Sequence, residues 1–210
     1  WRQTGAPENL ARLQGRAESA HRQMGSHCSF TCTPYWAGHW PTWNMHMASI
    51  ESTVTIFCNS VLGARSNRDG FFAVYAAIAG RYPRFGYHLD EVRRGTHLVR
   101  VEATLDEVTD YGCLGFHVGR LVGEGVPVFT GHAGRPSLDA LDALGAALAT
   151  SGGVSMFVWP GVTPPYADAE AAFGGTARPV EIVAGDGDVE AVYEGFATAR
   201  SEDIDLVHLG

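Results

Sequence analysis

VPVFTGHAGRPSLDALDALGAALATSGGVSMFVWP, Val126–Pro160, is the stretch that decides the fold. Val126–Phe129 reads as a short apolar strand and Pro136–Thr150 as a helix, with Pro136 near its first turn. Val154–Trp159 reads as a second strand. Downstream the alternation continues: a short helix over 166–173, a strand at Val180–Val183, a helix from about Asp188 to Arg200 and a last strand at Asp205–Leu209. A β-α-β-α-β-α-β order is the signature of a parallel sheet flanked by helices, an α/β class. Ligands of such sheets sit beyond the carboxyl ends of the strands. The last strand runs in DLVHLG to Gly210, so a site residue is expected next.

Upstream, Leu10, Leu13, Ala17, Ala20 and Met24 recur at intervals of three and four, which predicts a helix over 6–24 closed by Gly25. Residues 29–35 read as a short strand running into a Pro turn, and 36–43, with three Trp, as an irregular loop. Residues 47–61 suit a buried helix, and 71–80 another closed by Gly80. Alternation over His97–Thr104 predicts a strand, and 109–122 returns to a helical pattern. The chain thus divides into a first α/β part, about 1–122, and the β-α-β-α-β-α-β part, about 123–210.

The 210 residues fit one large domain or two small ones, with 45% hydrophobic and 18% charged residues, as in a folded chain. Twenty-six glycines imply many tight turns or backbone close to a ligand. No apolar run reaches the ~18 residues of a membrane span, and no secretory signal is visible. A net charge of −8 disfavours nucleic acid as partner. Four cysteines make no disulfide framework, so reduced thiols and a cytoplasmic location are expected. The first residue is Trp1, which suggests a segment of a longer protein.

The densest polar constellation is Glu51, Ser52, Asn59, Ser60, Arg65, Asn67, Arg68 and Asp69. Arg65 and Arg68, flanked by Asn and Ser, suit a carboxylate or phosphate, because guanidinium forks bind oxyanions in bidentate fashion. The same residues also suit a helix end closed by Gly63 and a solvated loop. Cys58 and Cys113 sit in apolar helical surroundings, as small buried hydrophobes do. Cys32 precedes the turn at Pro34, and three roles stay open for it: nucleophile, metal ligand or plain thiol. No HExxH, GxSxG or GxxxxGK[ST] occurs, which argues against a zinc hydrolase, an α/β-hydrolase and a P-loop enzyme. Gly185–Gly187 opens a helix beside Asp188, better suited to capping than to phosphate.

FTCTPYWAG, IEST, NSVLGARSNRDG and AAIAGRYPRFGYHLDE, followed by YGCLGFHVG, PSLDALDALGAALATSGGVSMF and PGVTPP, resemble the aconitase X family in order and spacing. The resemblance covers nearly all of 28–209. It implies an aconitase-like three-layer α/β/α fold and an iron–sulfur hydro-lyase that dehydrates a small hydroxy acid. Cis-3-hydroxy-L-proline is the first expectation and mevalonate 5-phosphate the alternative. It implies one cluster ligand here, Cys32 of the TCxPY motif, with the remaining cysteines beyond Gly210 and a cluster of two-iron or four-iron type. A small swivelling domain or subunit would supply the catalytic serine. Arg65 or Arg68 would hold the substrate's carboxylate or phosphate, with Asn59, Ser60 and Asn67 completing the hydrogen bonds. Glu51, Ser52 and His88 would orient ligands or move protons. The chain departs from the family pattern at Val92 (Asn), Asp142 (Lys), Val158 (His) and Pro165 (Glu). Those departures motivate a reading of another class, a cluster-free binding module of the same fold. A third reading is a thiol enzyme using Cys32.

Overall fold

The computed structural model describes residues 5, 7–132, 134–175 and 179–197. It resolves into two compact units, 1–39 and 40–210. The first carries α1 (Glu8–Gln23), which begins after Pro7 and has no buried residue. Residues 29–35 form no strand. Phe30 takes a positive φ of 52°, outside the extended region, and Thr33 N–H bonds Thr31 Oγ1 at 3.0 Å. A local side-chain acceptor there replaces a ladder partner.

In the second unit, α2 (Ser52–Ser60) and α3 (Phe72–Ala79) precede the sheet. α3 ends at Gly80, whose φ of 61° is the left-handed cap expected at that glycine. The helix expected over 47–61 starts only at Ser52, because 46–49 run extended beside 65–68. The sheet holds β1 (His97–Val101), β2 (Pro127–Thr130) and β3 (Val180–Ala184), all parallel, in the order β2-β1-β3. Val99 stands opposite Phe129 on one side and Ile182 on the other. β1 is therefore the central strand, and the sheet starts before the 122/123 division drawn from the sequence pattern.

α4 (Val108–Val122), α5 (Leu138–Gly152), α6 (Ala169–Phe173) and α7 (Asp186–Phe196) follow the strands as the alternation predicts. Strand side chains alternate between faces. Val99, Val101 and Phe129 enter one core with Leu114 and Val118 of α4 and Leu144 and Leu148 of α5. Val128 turns to the other face, against Met156, Val158 and Phe173 of α6. Helices thus cover both faces of the sheet, an α/β/α layering. Helix starts are capped as their residues allow: Ser137 Oγ accepts from Ala140 N at 3.1 Å, and Asp188 Oδ2 accepts from Gly185 N at 2.9 Å. The Gly185–Gly187 turn is thus an ordinary cap.

Residues 154–159 form no regular strand. Only Val158 bridges β2, through Phe129 N–H to Val158 O at 2.8 Å and Val158 N–H to Pro127 O at 2.9 Å. Side chains take the neighbouring backbone groups: Ser60 Oγ accepts from Phe157 N, Thr163 Oγ1 from Trp159 N, and Asn59 donates to Ser155 O. The strand expected at Asp205–Leu209 lies outside the described residues. Among the described residues no helix is long and apolar enough to cross a membrane.

α4 and α5 approach closely because glycines face each other. A Cβ on Gly115 would stand 2.5 Å from Leu144 O, and one on Gly152 would overlap the Gly119 carbonyl. Gly112, in the same helix, has open space. Gly115→Ala should lower the unfolding free energy by about 1–3 kcal/mol through overpacking. Gly112→Ala should be neutral or stabilising by up to ~1 kcal/mol. Chemical unfolding of the two variants checks this, and equal effects would contradict the packing account.

Candidate functional site

The block Asn59–Gly70 leaves α2, turns at Gly63 (φ 69°) and runs back beside residues 46–49. A Cβ at Gly63 would overlap the Trp43 ring. Met47 N–H bonds Arg65 O at 2.9 Å, Arg65 N–H bonds Met45 O at 2.8 Å, and Asp69 N–H bonds Ser49 O at 3.0 Å. Two short extended runs thus place His46 beside Arg65 and Ser49 beside Arg68.

Most polar side chains of the block face inward and are used by the fold. Asn59 is fully buried. Its Nδ2 donates to Ser66 O at 2.8 Å and Ser155 O at 2.9 Å, and its Oδ1 accepts from Ser66 N at 2.8 Å and Arg93 Nη1 at 3.3 Å. Ser60, also fully buried, accepts from Phe157 N. Asn67 donates to Tyr82 Oη at 3.0 Å and Phe85 O at 3.3 Å and accepts from Tyr87 N at 2.7 Å. Arg65 donates to Asn44 Oδ1, to Asp90 and, at 3.0 Å, to His88 O. That guanidinium holds the Asp90 carboxyl below its ordinary range. The substrate hydrogen bonds expected of Asn59, Ser60, Arg65 and Asn67 thus meet side chains already engaged.

Three expected residues remain open. Arg68 is exposed, and its guanidinium makes no hydrogen bond or ion pair in the structure. Glu51 is exposed just before α2, and Ser52, half-buried, is its first residue. Ser49 pairs with Arg68, and Glu51 and Ser52 follow Ser49 closely in the chain. Glu51 and Ser52 thus stand at the start of α2, while the Arg68 guanidinium reaches to Gly153, where a Cβ would lie 3.4 Å from its Nη1.

His88 stands in a different cluster. It is buried, and its Nδ1 lies 2.8 Å from Nδ1 of His46, with the rings stacked at 5.0 Å. The Tyr82 ring packs on His88 at a centroid distance of 4.1 Å. Tyr82 donates its hydroxyl proton to Asp69, and burial, then Asp69, pushes its pKa up to about 12. Burial first, then the neighbouring His46, Arg65 and Arg93, pull the His88 pKa down to about 4. Its Nε2 is buried with no partner. A cavity of about 520 Å³ opens beside these rings, lined by His46, Tyr82, Arg84, His88, Asp90 and Glu91 among others.

Sequence reasoning passed over several members. Arg93 is buried and donates to Asn59 O at 3.1 Å and Tyr87 O at 3.2 Å; burial, then Arg65, lowers its pKa to about 10. Ser49 Oγ bonds Thr55 Oγ1 at 2.6 Å and Ser66 Oγ at 2.8 Å in the buried interior. His46 falls near the polar block in sequence, but its pairing with His88 and the packing of Tyr82 on that ring do not show there. None of these carries a spacing signal, since partners up to 42 residues away define them.

Cys58 is buried, and burial, then Asp142, pushes its thiol up to about 12, as a structural cysteine behaves. Cys113 is half-buried and raised in pKa by burial, then Asp110. Cys32, in the first unit, is exposed with no bonded partner. Among the described residues no three His, Cys, Asp or Glu side chains cluster as a metal site. An exposed, unengaged thiol fits one ligand of a shared cluster and not a complete site.

Models for two domains match in succession: the aconitase X first domain over residues 1–91 and the aconitase X second domain over 95–194. The chain belongs to the aconitase X family. The two models meet just ahead of β1, so the second covers the sheet and its helices. Aconitase X relatives include the phosphomevalonate dehydratase large subunit of Methanothermobacter thermautotrophicus, 44% identical over 100% of this chain and 51% of that protein. The cis-3-hydroxy-L-proline dehydratase of Pseudomonas aeruginosa is 38% identical over 100% of this chain and 37% of that protein. The crystal structure of holo-form aconitase X from Thermococcus kodakaraensis superposes with a TM-score of 0.80 at 34% identity, over 91% of this chain and 48% of that one. The chain thus spans about half, or less, of the relatives it matches.

His88 gives a pH signature. A folded pKa of about 4 lies below the ordinary 6.5, so between these values the unfolded chain binds more protons. The stability linked to neutral His88 is complete above about pH 6.5 and is lost as pH falls towards about 4. Unfolding free energies measured across that window should show this slope, and His88→Asn should flatten it.

Proposed function

We infer that this chain is part of the large component of an iron–sulfur hydro-lyase that removes water from a small hydroxy acid. The observation that carries the reading is Arg68: within a block of otherwise engaged polar groups, its guanidinium is exposed beside Gly153 and makes no hydrogen bond or ion pair among the described residues. It would take the carboxylate or phosphate of the substrate in bidentate fashion. Asn59, Ser60, Asn67 and Arg65 would serve by holding the Arg68 strand in place. Glu51 and Ser52, at the start of α2, would orient the substrate's hydroxyl or carry its proton. His88 would act from the cavity it shares with His46.

Cys32 would supply one cluster ligand, with the others outside the described residues. Such a cluster, when bound, supplies Lewis acidity towards the leaving hydroxyl and a carboxylate oxygen. A second, smaller component would complete the site, in keeping with relatives named as large subunits. The four free thiols suit the reducing cytoplasm. Cis-3-hydroxy-L-proline, or a related hydroxy acid, is the first substrate to test. Mevalonate 5-phosphate is the second reading, favoured by 44% identity to a phosphomevalonate dehydratase large subunit against 38% to a hydroxyproline dehydratase.

The complete enzyme, reconstituted with iron and sulfide without oxygen, should show visible cluster absorbance that Cys32→Ser largely removes. An unchanged spectrum would take Cys32 out of the ligand set. With both substrates offered, Arg68→Ala should weaken binding by about 1.5–3 kcal/mol, the worth of hydrogen bonds to a charged group. Wild-type kinetics in that variant would refute the anion role.

A further inference from the structure

The His46–His88 pair has one feature that the reading above does not use. Two neutral imidazoles joined through Nδ1 atoms at 2.8 Å share a single proton, so one ring donates and the other accepts. The choice decides the tautomer of both rings. Were His46 the donor, His88 would carry its proton on Nε2, which is buried and faces no acceptor. An orphaned buried N–H is rarer in folded proteins than an under-used lone pair. With His88 as donor, its buried Nε2 holds only a lone pair, and His46 keeps its proton on Nε2. That atom belongs to an exposed ring lining the cavity of about 520 Å³, and among the described residues it has no hydrogen-bond partner.

We propose that His46 is a substrate-binding residue lining the cavity beside His88, presenting Nε2–H to an oxygen of the anionic hydroxy acid, and that His88 is its positioning residue, fixing the tautomer through the Nδ1–Nδ1 bond. The proposal rests on the hydroxy-acid reading for its ligand. The surroundings agree with it. Arg65 and Arg93 stand near His88 and oppose a proton on it, in line with its lowered pKa. Tyr82 packs on the ring while its hydroxyl is turned to Asp69, so it offers His88 no competing acceptor. Arg84 adds positive charge to the cavity wall, and Asp90, one of its two acids, is engaged by Arg65.

Nitrogen-15 NMR of histidine-labelled complete enzyme reads the tautomers directly. At about pH 8, where imidazoles are ordinarily neutral, His46 should show a protonated Nε2 and a bare Nδ1, and His88 the reverse. In kinetics, His46→Ala should raise KM for the hydroxy acid about 10- to 100-fold. His46→Gln, whose amide N–H₂ reaches the place of Nε2–H, should stay close to wild type. His88→Leu should mix the His46 tautomers and raise KM, and His88→Asn, which keeps a donor, should restore both. If His88→Leu does not fold, the wild-type spectrum and the exposed His46 variants still decide. A His46 proton found on Nδ1 would overturn the proposal, as would an unchanged KM in His46→Ala. An enzyme that turns over no hydroxy acid would sink the functional reading instead, and the spectrum would still judge whether His88 sets His46.

Discussion

The second unit depends on one buried amide. Asn59, in the last turn of α2, has every donor and acceptor of its side chain engaged, binding the extended Arg65–Asp69 run through Ser66, the 153–159 segment through Ser155, and Arg93 ahead of β1. A buried amide is tolerated only when satisfied in full, and here satisfaction requires three separate segments to be in register. Ser60 adds the neighbouring bond to Phe157. The helix, the arginine-bearing strand and the irregular segment beside β2 are thus set by one group of side-chain-to-backbone bonds. The guanidinium of Arg93 takes Asn59 O and Tyr87 O, which extends the same lattice to the turn that positions His88.

That lattice separates two kinds of polar residue that look alike in the sequence. NSVLGARSNR presents two arginines three residues apart in nearly the same company. In extended backbone, side chains three apart lie on opposite faces. Arg65 meets Asn44, His88 O and Asp90, while Arg68, beside Gly153, makes no hydrogen bond or ion pair among the described residues. The Arg65 charge is neutralised by Asp90; the Arg68 charge is available.

The alternation of strands and helices made the second half legible, because a period of two or of 3.6 in apolar residues is a local property of the chain. α4, α5 and β1 to β3 fall close to where that pattern puts them. The failures have a common physical cause. At 29–35 and at 154–159 the composition suits strands, yet side-chain hydroxyls and an amide capture the backbone groups a ladder would have used. Competition of that kind depends on residues such as Ser60, 97 positions from the backbone it binds, and no local pattern reports it. The candidate site divides in the same way. The motif block and His88 were visible as residue types, whereas the inward turn of Asn59 and the pairing of His46 with His88 follow from tertiary geometry alone.

The departures from the family pattern can be weighed by where they fall. Val158, where the resemblance led to an expectation of His, is fully buried against Val128, Met156 and Phe173. A side chain in that company serves the packing of the α6 face, and an imidazole there would need a polar partner of its own. Val92 lines a cavity with Arg94, Thr96 and Glu124, not the one beside His46 and His88. Pro165 is exposed, and Asp142 sits on α5 near Cys58. None of the four touches the Arg68 strand's hydrogen bonds or lines the His46 cavity. Within the described residues the changes therefore fall on packing and on other surfaces, and the hydrogen bonds that hold the Arg65–Asp69 segment do not involve them.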